Sequence, residues 1–206
     1  GKINEKFEYK PQSPYAHSKL IVHRQLQDLR LQNNIFVSSA ILFNHESPIR
    51  NINFVTRKIT NFVANYYFDK SIKLEIGNLN AKRDWGYAGD FVEAYHKILQ
   101  LKNADDFIIA TGQEYTIRDF IKIAFLVIDV DIKSDGDGLN EVGYISDIKD
   151  PIIVINSDYY RDNDIDARSG DYTKAKEILN WQPETSIEKL VEMMVNYDLS
   201  LMENKN

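Results

Sequence analysis

The 206-residue chain carries 25 basic and 31 acidic side chains, a net charge of −6, and 43% hydrophobic residues, an ordinary globular composition long enough to bury a core without staples. That length fits one domain, or a large one with a small appendage. The absence of cysteine excludes a disulfide framework and thiolate metal sites, and the acidic balance argues against nucleic acid or an anionic membrane as the main partner. In chain order, Gly1 stands where a methionine would begin, inside a polar, irregular stretch over 1–12, and is expected to be a cut end. A helix is predicted from Ser13, with serine at the cap, Pro14 at the first position and Leu20, Ile21, Leu26 and Leu29 following. The β-branched and aromatic run 34–43 predicts a buried strand, and Ile52, Val55, Ile59, Phe62 and Val63 have helical spacing over 52–68. Residues 72–76 read as a strand, 78–85 as a polar loop, 90–101 as a helix and 106–111 as a strand. Thr116 can cap a helix reaching about Val127; the Asp- and Gly-rich stretch 131–150 reads as loop and 152–156 as a strand. Two helices, about 171–180 and 186–203, flank Trp181-Gln182-Pro183.

Strands alternate with helices, so the class is α/β, with short strands and a helical majority. No run of 18 apolar residues and no signal peptide is visible, which favours a cytoplasmic address. There is no glycine-rich dinucleotide turn, no Walker loop and no metal-ligand spacing among His17, His23, His45 and His96.

Several clusters could carry chemistry. On a helix, Tyr15 and Lys19 share a face, and a nearby ammonium favours a phenolate, which makes a tyrosine a usable general acid/base. The same spacing recurs at Tyr66/Lys70 and Tyr172/Lys176, which are expected to be solvated surface pairs. Asn44-His45-Glu46-Ser47-Pro48 follows the 34–43 strand, where ligands of α/β folds gather; a capped turn is the plainer alternative. Arg83 beside Trp85 could hold a phosphate and stack a ring, against a surface Arg–Asp pair with a half-buried tryptophan. Arg161 could meet a second phosphate oxygen, against another surface ion pair.

Ser13-Pro14-Tyr15-Ala16-His17-Ser18-Lys19 resembles the active-site helix of extended short-chain dehydrogenases/reductases. Phe43-Asn44-His45-Glu46-Ser47-Pro48, Phe54-Val55-Thr56-Arg57-Lys58, Lys82-Arg83-Asp84-Trp85-Gly86, Ala110-Thr111-Gly112, Asn140-Glu141-Val142-Gly143 and Lys174-Ala175-Lys176 with Trp181 and Pro183, in this order, resemble the GDP-mannose 4,6-dehydratase family along essentially the whole chain. The resemblance implies an NADP-dependent lyase that turns GDP-mannose into GDP-4-keto-6-deoxymannose, a first step toward GDP-fucose- or GDP-rhamnose-type sugars. Hydride leaves C4 and returns to C6, a glutamate removes the C5 proton, and the net reaction is loss of water.

It implies Tyr15 and Lys19 as catalytic and cofactor-binding, with His45 and Arg50 also on NADP, and Asn44, Lys58, Arg83 and Arg161 around the GDP-sugar. It implies a partial Rossmann-type sheet (the last strands and the active-site helix) over 1–50. A smaller mixed α/β sugar-nucleotide-binding domain occupies 51–206, with 72–111 a candidate return to the Rossmann sheet. A homo-oligomer, dimer or tetramer, is expected of the full-length protein. The family's glycine-rich half and its Thr-Ser-Glu stretch are absent, the approach to Tyr15 is shorter than usual, and Asp162-Asn163-Asp164-Ile165-Asp166 replaces the usual Pro-x-Glu-Val-Asp. Without a first half the chain is expected to be inactive alone, with a bare apolar sheet edge and helix face. Two alternatives stay open: a catalytically incompetent, truncated GDP-sugar-binding relative, and a dehydratase for another GDP-sugar such as GDP-mannoheptose.

Overall fold

The computed structural model describes residues 1–145, 150–160 and 168–203. The chain folds as two compact units. The first comprises Gly1–His45, Asp84–Gln113 and Arg168–Glu184; the second comprises Glu46–Arg83 and the described parts of 114–167 and 185–206.

In the first unit, α1 (Pro14–Asn33) starts where Ser13 accepts a hydrogen bond from the Ala16 amide and ends at Asn34 in the left-handed region, φ 52°. The run 34–43 is not one buried strand. Only β1 (Ala40–Leu42) pairs, in parallel with β6 (Phe107–Ile109), while Ile35, Phe36 and Leu42 remain exposed. A parallel strand is fully covered only with neighbours and helices around it, and β1 has one strand neighbour among the described residues. β2 (Asn44–Glu46) pairs with β5 (Trp85–Tyr87), and α3 (Ala88–Leu99) and α5 (Thr173–Leu179) pack on β6. Trp181 anchors this core: its Nε1 donates to the Asp90 carbonyl at 2.8 Å, and its ring meets Phe91 and Tyr172 edge-on. The first residues are tied down as well, since Ile3 exchanges backbone hydrogen bonds with Ser169 and Asp171, and the Ile108 amide donates to Glu5.

The second unit packs α2 (Val55–Phe68), α4 (Ile117–Leu126) and α6 (Ile187–Glu203) together, α2 meeting α4 through a Phe62–Tyr66–Phe125 cluster with ring centres 5.7 to 6.2 Å apart. Thr116 and Asp119 form a reciprocal capping box that fixes the start of α4. Beside them is a four-stranded sheet, β3 (Leu74–Ile76), β10 (Ile153–Ile155), β9 (Val142–Ile145) and β8 (Ile132–Asp135), with β3 and β10 parallel and the others antiparallel. The stretch 131–150 is therefore not simply loop. Gly136 and Gly138, with φ of 82° and 57°, turn the chain so that β8 and β9 pair. Part of 78–85 is strand too: β4 (Lys82–Arg83) pairs with β7 (Tyr115–Thr116). Arg118, held by Glu141 and Asn80, braces this corner.

Candidate active site

In the first unit, the cap at Ser13 places Tyr15 and Lys19 in the opening turns of α1. Both side chains face solvent, Tyr15 at 72% exposure, and the Lys19 Nζ lies 5.3 Å from the phenol ring centre. The two side chains lie on one helix face, as their spacing predicts.

The competing pairs differ from the solvated surface pairs expected. Tyr66 is buried, its ring is part of the aromatic cluster of α2 and α4, and its hydroxyl has no partner among the described residues; burial raises its pKa. Tyr172 is the residue just before α5 and packs on Trp181. Both belong to packing because each occupies the apolar stripe of its unit.

On β2, Asn44 is exposed, while the His45 ring lies 5.1 Å from Phe91 and its Nδ1 is 3.1 Å from the Phe43 carbonyl. A carbonyl oxygen only accepts, so Nδ1 is the donor of this contact. Trp85 is buried at 3% exposure, so it offers no face on which a ligand ring could stack. Asp84 is buried as well and forms no surface pair. It accepts from the Thr111 amide and hydroxyl and from the Gly112 and Gly170 amides, gathering three separated segments.

In the second unit, the Arg50 guanidinium stacks 3.6 Å above the Phe54 ring, and its Nε lies 3.4 Å from Glu46. Arg57, buried, donates from Nε to the Arg50 carbonyl and from Nη1 to Asp198 at 2.6 Å, and Thr60 donates to the same Asp198 oxygen. Lys58 is half-buried with its Nζ 4.1 Å from the Tyr159 ring centre. Burial lowers its pKa, and Glu75 partly opposes this. A side chain at Gly77 would run into the Tyr159 carbonyl, so only glycine allows this approach. Arg83 lies on β4 and donates to the Lys82 carbonyl. Arg161, and the 162–166 departure, lie outside the described residues.

Asp106, just before β6, carries no role in the sequence reading, yet its carboxylate, like that of Asp84, gathers donors from separate segments of the first unit. It accepts from Arg30 at 2.8 and 2.9 Å, from Gln27 at 2.8 Å and from the Ser39 amide at 3.2 Å. Burial raises its pKa, but the hydrogen bonds from Arg30 and Gln27, with the Arg30 charge and His23, outweigh it and hold the value at about 2 instead of 3.8. A folded-state value below the unfolded one stabilises the fold above pH about 4, and the gain disappears as pH falls toward 2. At neutral pH, Asp106→Asn is expected to lose on the order of 1–2 kcal/mol, measured by urea unfolding. The gap from the parent protein should close between pH 4 and pH 2; a constant gap would refute the assignment.

Compared with solved structures, the chain matches RMD from Pseudomonas aeruginosa, solved complexed with NADPH, with a TM-score of 0.77 and 22% identity over 97% of this chain and 60% of that one. It also matches dTDP-glucose 4,6-dehydratase from Bacillus anthracis, solved in complex with NAD, with a TM-score of 0.77 and 16% identity over 98% and 57%. The chain thus shares its fold with part of each of these two proteins. The chain belongs to the GDP-mannose 4,6 dehydratase family, whose model matches residues 1–194. Curated GDP-mannose 4,6 dehydratases of Homo sapiens and Drosophila melanogaster are 43% and 41% identical over 93% and 97% of the chain. The chain spans about half the length of these relatives, 52% and 50%.

Proposed function

We propose that this chain supplies the active-site helix and the sugar-nucleotide contacts of a GDP-mannose 4,6-dehydratase, which converts GDP-mannose to GDP-4-keto-6-deoxymannose. The observation that carries the reading is the solvent-facing Tyr15–Lys19 pair at the capped start of α1, in a chain that the family model matches over residues 1–194.

The donor set suits NADP. The first unit offers a phenol and an ammonium on one helix face and the His45 imidazole on β2; the second unit offers the Arg50 guanidinium, held flat on Phe54. NADP, when bound, supplies the ring that accepts the C4 hydride and returns it to C6. Tyr15 Oη takes the proton of the C4 hydroxyl. Lys19 holds ribose hydroxyls beside it. His45 and Arg50 complete the cofactor contacts. Asn44 faces the sugar, and Lys58, Arg83 and Arg161 neutralise the diphosphate.

The keto sugar feeds GDP-fucose- or GDP-rhamnose-type chemistry, in the cytoplasm, in a dimer or tetramer. Among the described residues no helix is long and apolar enough to cross a membrane.

The test is the complete natural polypeptide with GDP-mannose and catalytic NADP, read by mass spectrometry. The expected product has lost one water, keeps GDP, and gains two hydrogens on borohydride reduction. Tight GDP-sugar binding with no product would instead make the chain a binding relative. Faster turnover of GDP-mannoheptose would reassign the substrate.

A further inference from the structure

The α1 helix presents a structural problem. It spans 20 residues and carries the proposed acid/base, yet none of its residues is fully buried. One stripe, Ala16, Leu20, His23, Leu26, Gln27 and Arg30, is half-buried, while Ile21, Val22 and Leu31 face solvent. Apolar burial is non-directional and leaves a helix free to roll through small angles. Hydrogen bonds fix direction, and on this stripe they converge on one group.

Gln27 and both Arg30 Nη atoms donate to the Asp106 carboxylate, with His23 Nε2 3.8 Å away. Arg30 also donates to the Val37 carbonyl at 3.1 Å, so its fork is fixed twice. The His23 ring is held on both sides, its Nε2 3.1 Å from the Tyr9 hydroxyl and its Nδ1 3.1 Å from Ser39 Oγ. Asp106 is itself held from behind, because Lys174 donates to its carbonyl at 2.8 Å and pairs with Asp105 at 2.6 Å. The Asp106 carboxylate, just before β6, therefore holds two successive turns of α1 on one side by hydrogen bonds, with His23 beside it one turn earlier.

We propose that Asp106 is a positioning residue for the reaction: by holding Gln27 and Arg30 it sets the roll of α1 and so the direction in which Tyr15 and Lys19 point. This rests on the reading of Tyr15 as the acid/base. The lever is sufficient. A roll of about 10° moves a tyrosine hydroxyl about 9 Å from the helix axis by roughly 1.5 Å. A misplacement of about 1 Å can cost on the order of 100-fold in rate.

The test compares Tyr15→Phe, Asp106→Asn, Asp106→Glu, Arg30→Lys and Gln27→Leu in the complete natural polypeptide, at a temperature where circular dichroism shows each to be folded. Asp106→Asn is expected to lower kcat at least about tenfold with KM for GDP-mannose within about twofold. It should also move the acid limb of the kcat profile toward alkaline pH and weaken NADPH binding read by fluorescence. Asp106→Glu, which keeps a carboxylate, should recover part of each effect. Arg30→Lys and Gln27→Leu, which keep Asp106, should show the same pattern more weakly, and they decide the matter if Asp106→Asn does not fold. Unchanged kcat and profile in the folded clamp variants, with Tyr15→Phe inactive, overturns the positioning role alone. A fully active Tyr15→Phe overturns the catalytic reading and the positioning role with it.

Discussion

Replacing Tyr15 with phenylalanine is expected to lower kcat in the complete natural polypeptide by about 10²- to 10⁴-fold, the usual contribution of a positioned proton-transfer group. The change removes one oxygen from a side chain that is 72% exposed, so it leaves no cavity and should not move the melting temperature measurably. GDP-mannose affinity, measured by calorimetry, should stay within a few-fold, because the cations assigned to the diphosphate lie on other elements. Tyr66→Phe is the matched control. It removes a buried hydroxyl that has no partner among the described residues, in a Tyr-x-x-x-Lys pair of identical spacing, and turnover should not change. Loss of turnover in Tyr66→Phe but not in Tyr15→Phe would reverse the assignment.

The largest stability effect is expected at Arg57. Its guanidinium and Asp198 form an ion pair at 2.6 Å between α2 and α6, with side chains only 7% and 0% exposed. Removing one member strands the other charge in the interior, which typically costs about 3–5 kcal/mol. Arg57→Leu should show this loss in urea unfolding. Arg57→Leu with Asp198→Leu should recover much of it, since replacing a whole buried pair by apolar groups is often close to neutral. Equal instability of the single and double variants would mean that the cost lies in packing and not in charge. Arg57 also donates to the Arg50 carbonyl, so the single variant should loosen the turn that presents Arg50 to the proposed cofactor.

The parts of this molecule that are legible in the sequence are those decided within a few residues. Ser13 and Pro14 announce α1, the Thr116–Asp119 box announces α4, and the Tyr15–Lys19 spacing by itself places two groups on one face. What the sequence hides depends on distant pairing. The β8 and β9 strands look like loop because Asp135, Gly136, Asp137 and Gly138 dominate the local composition, yet β9 is completed by β10, and β10 by β3 some 80 positions earlier, Ile153 against Leu74. The run 34–43 has the composition of a core strand, but its burial depends on neighbours that composition cannot supply. Asp84, Asp106 and Asp198 show the same limit. Each is an unremarkable aspartate in the sequence, and each is buried against donors drawn mostly from far along the chain.

The order in which the two units use the chain bears on how the protein is made. The first draws on residues near 1–45, 84–113 and 168–184, and the second takes up the chain in between and after. A ribosome releases the chain from its amino end, so the first unit cannot close until Trp181 has emerged, and the second must wait for α6. Neither can fold as an early, independent island during synthesis. Nascent α1, with Ile21, Val22, Leu29 and Leu31 exposed, has to wait for β6 and Trp181 to be made, an interval in which a chaperone would matter.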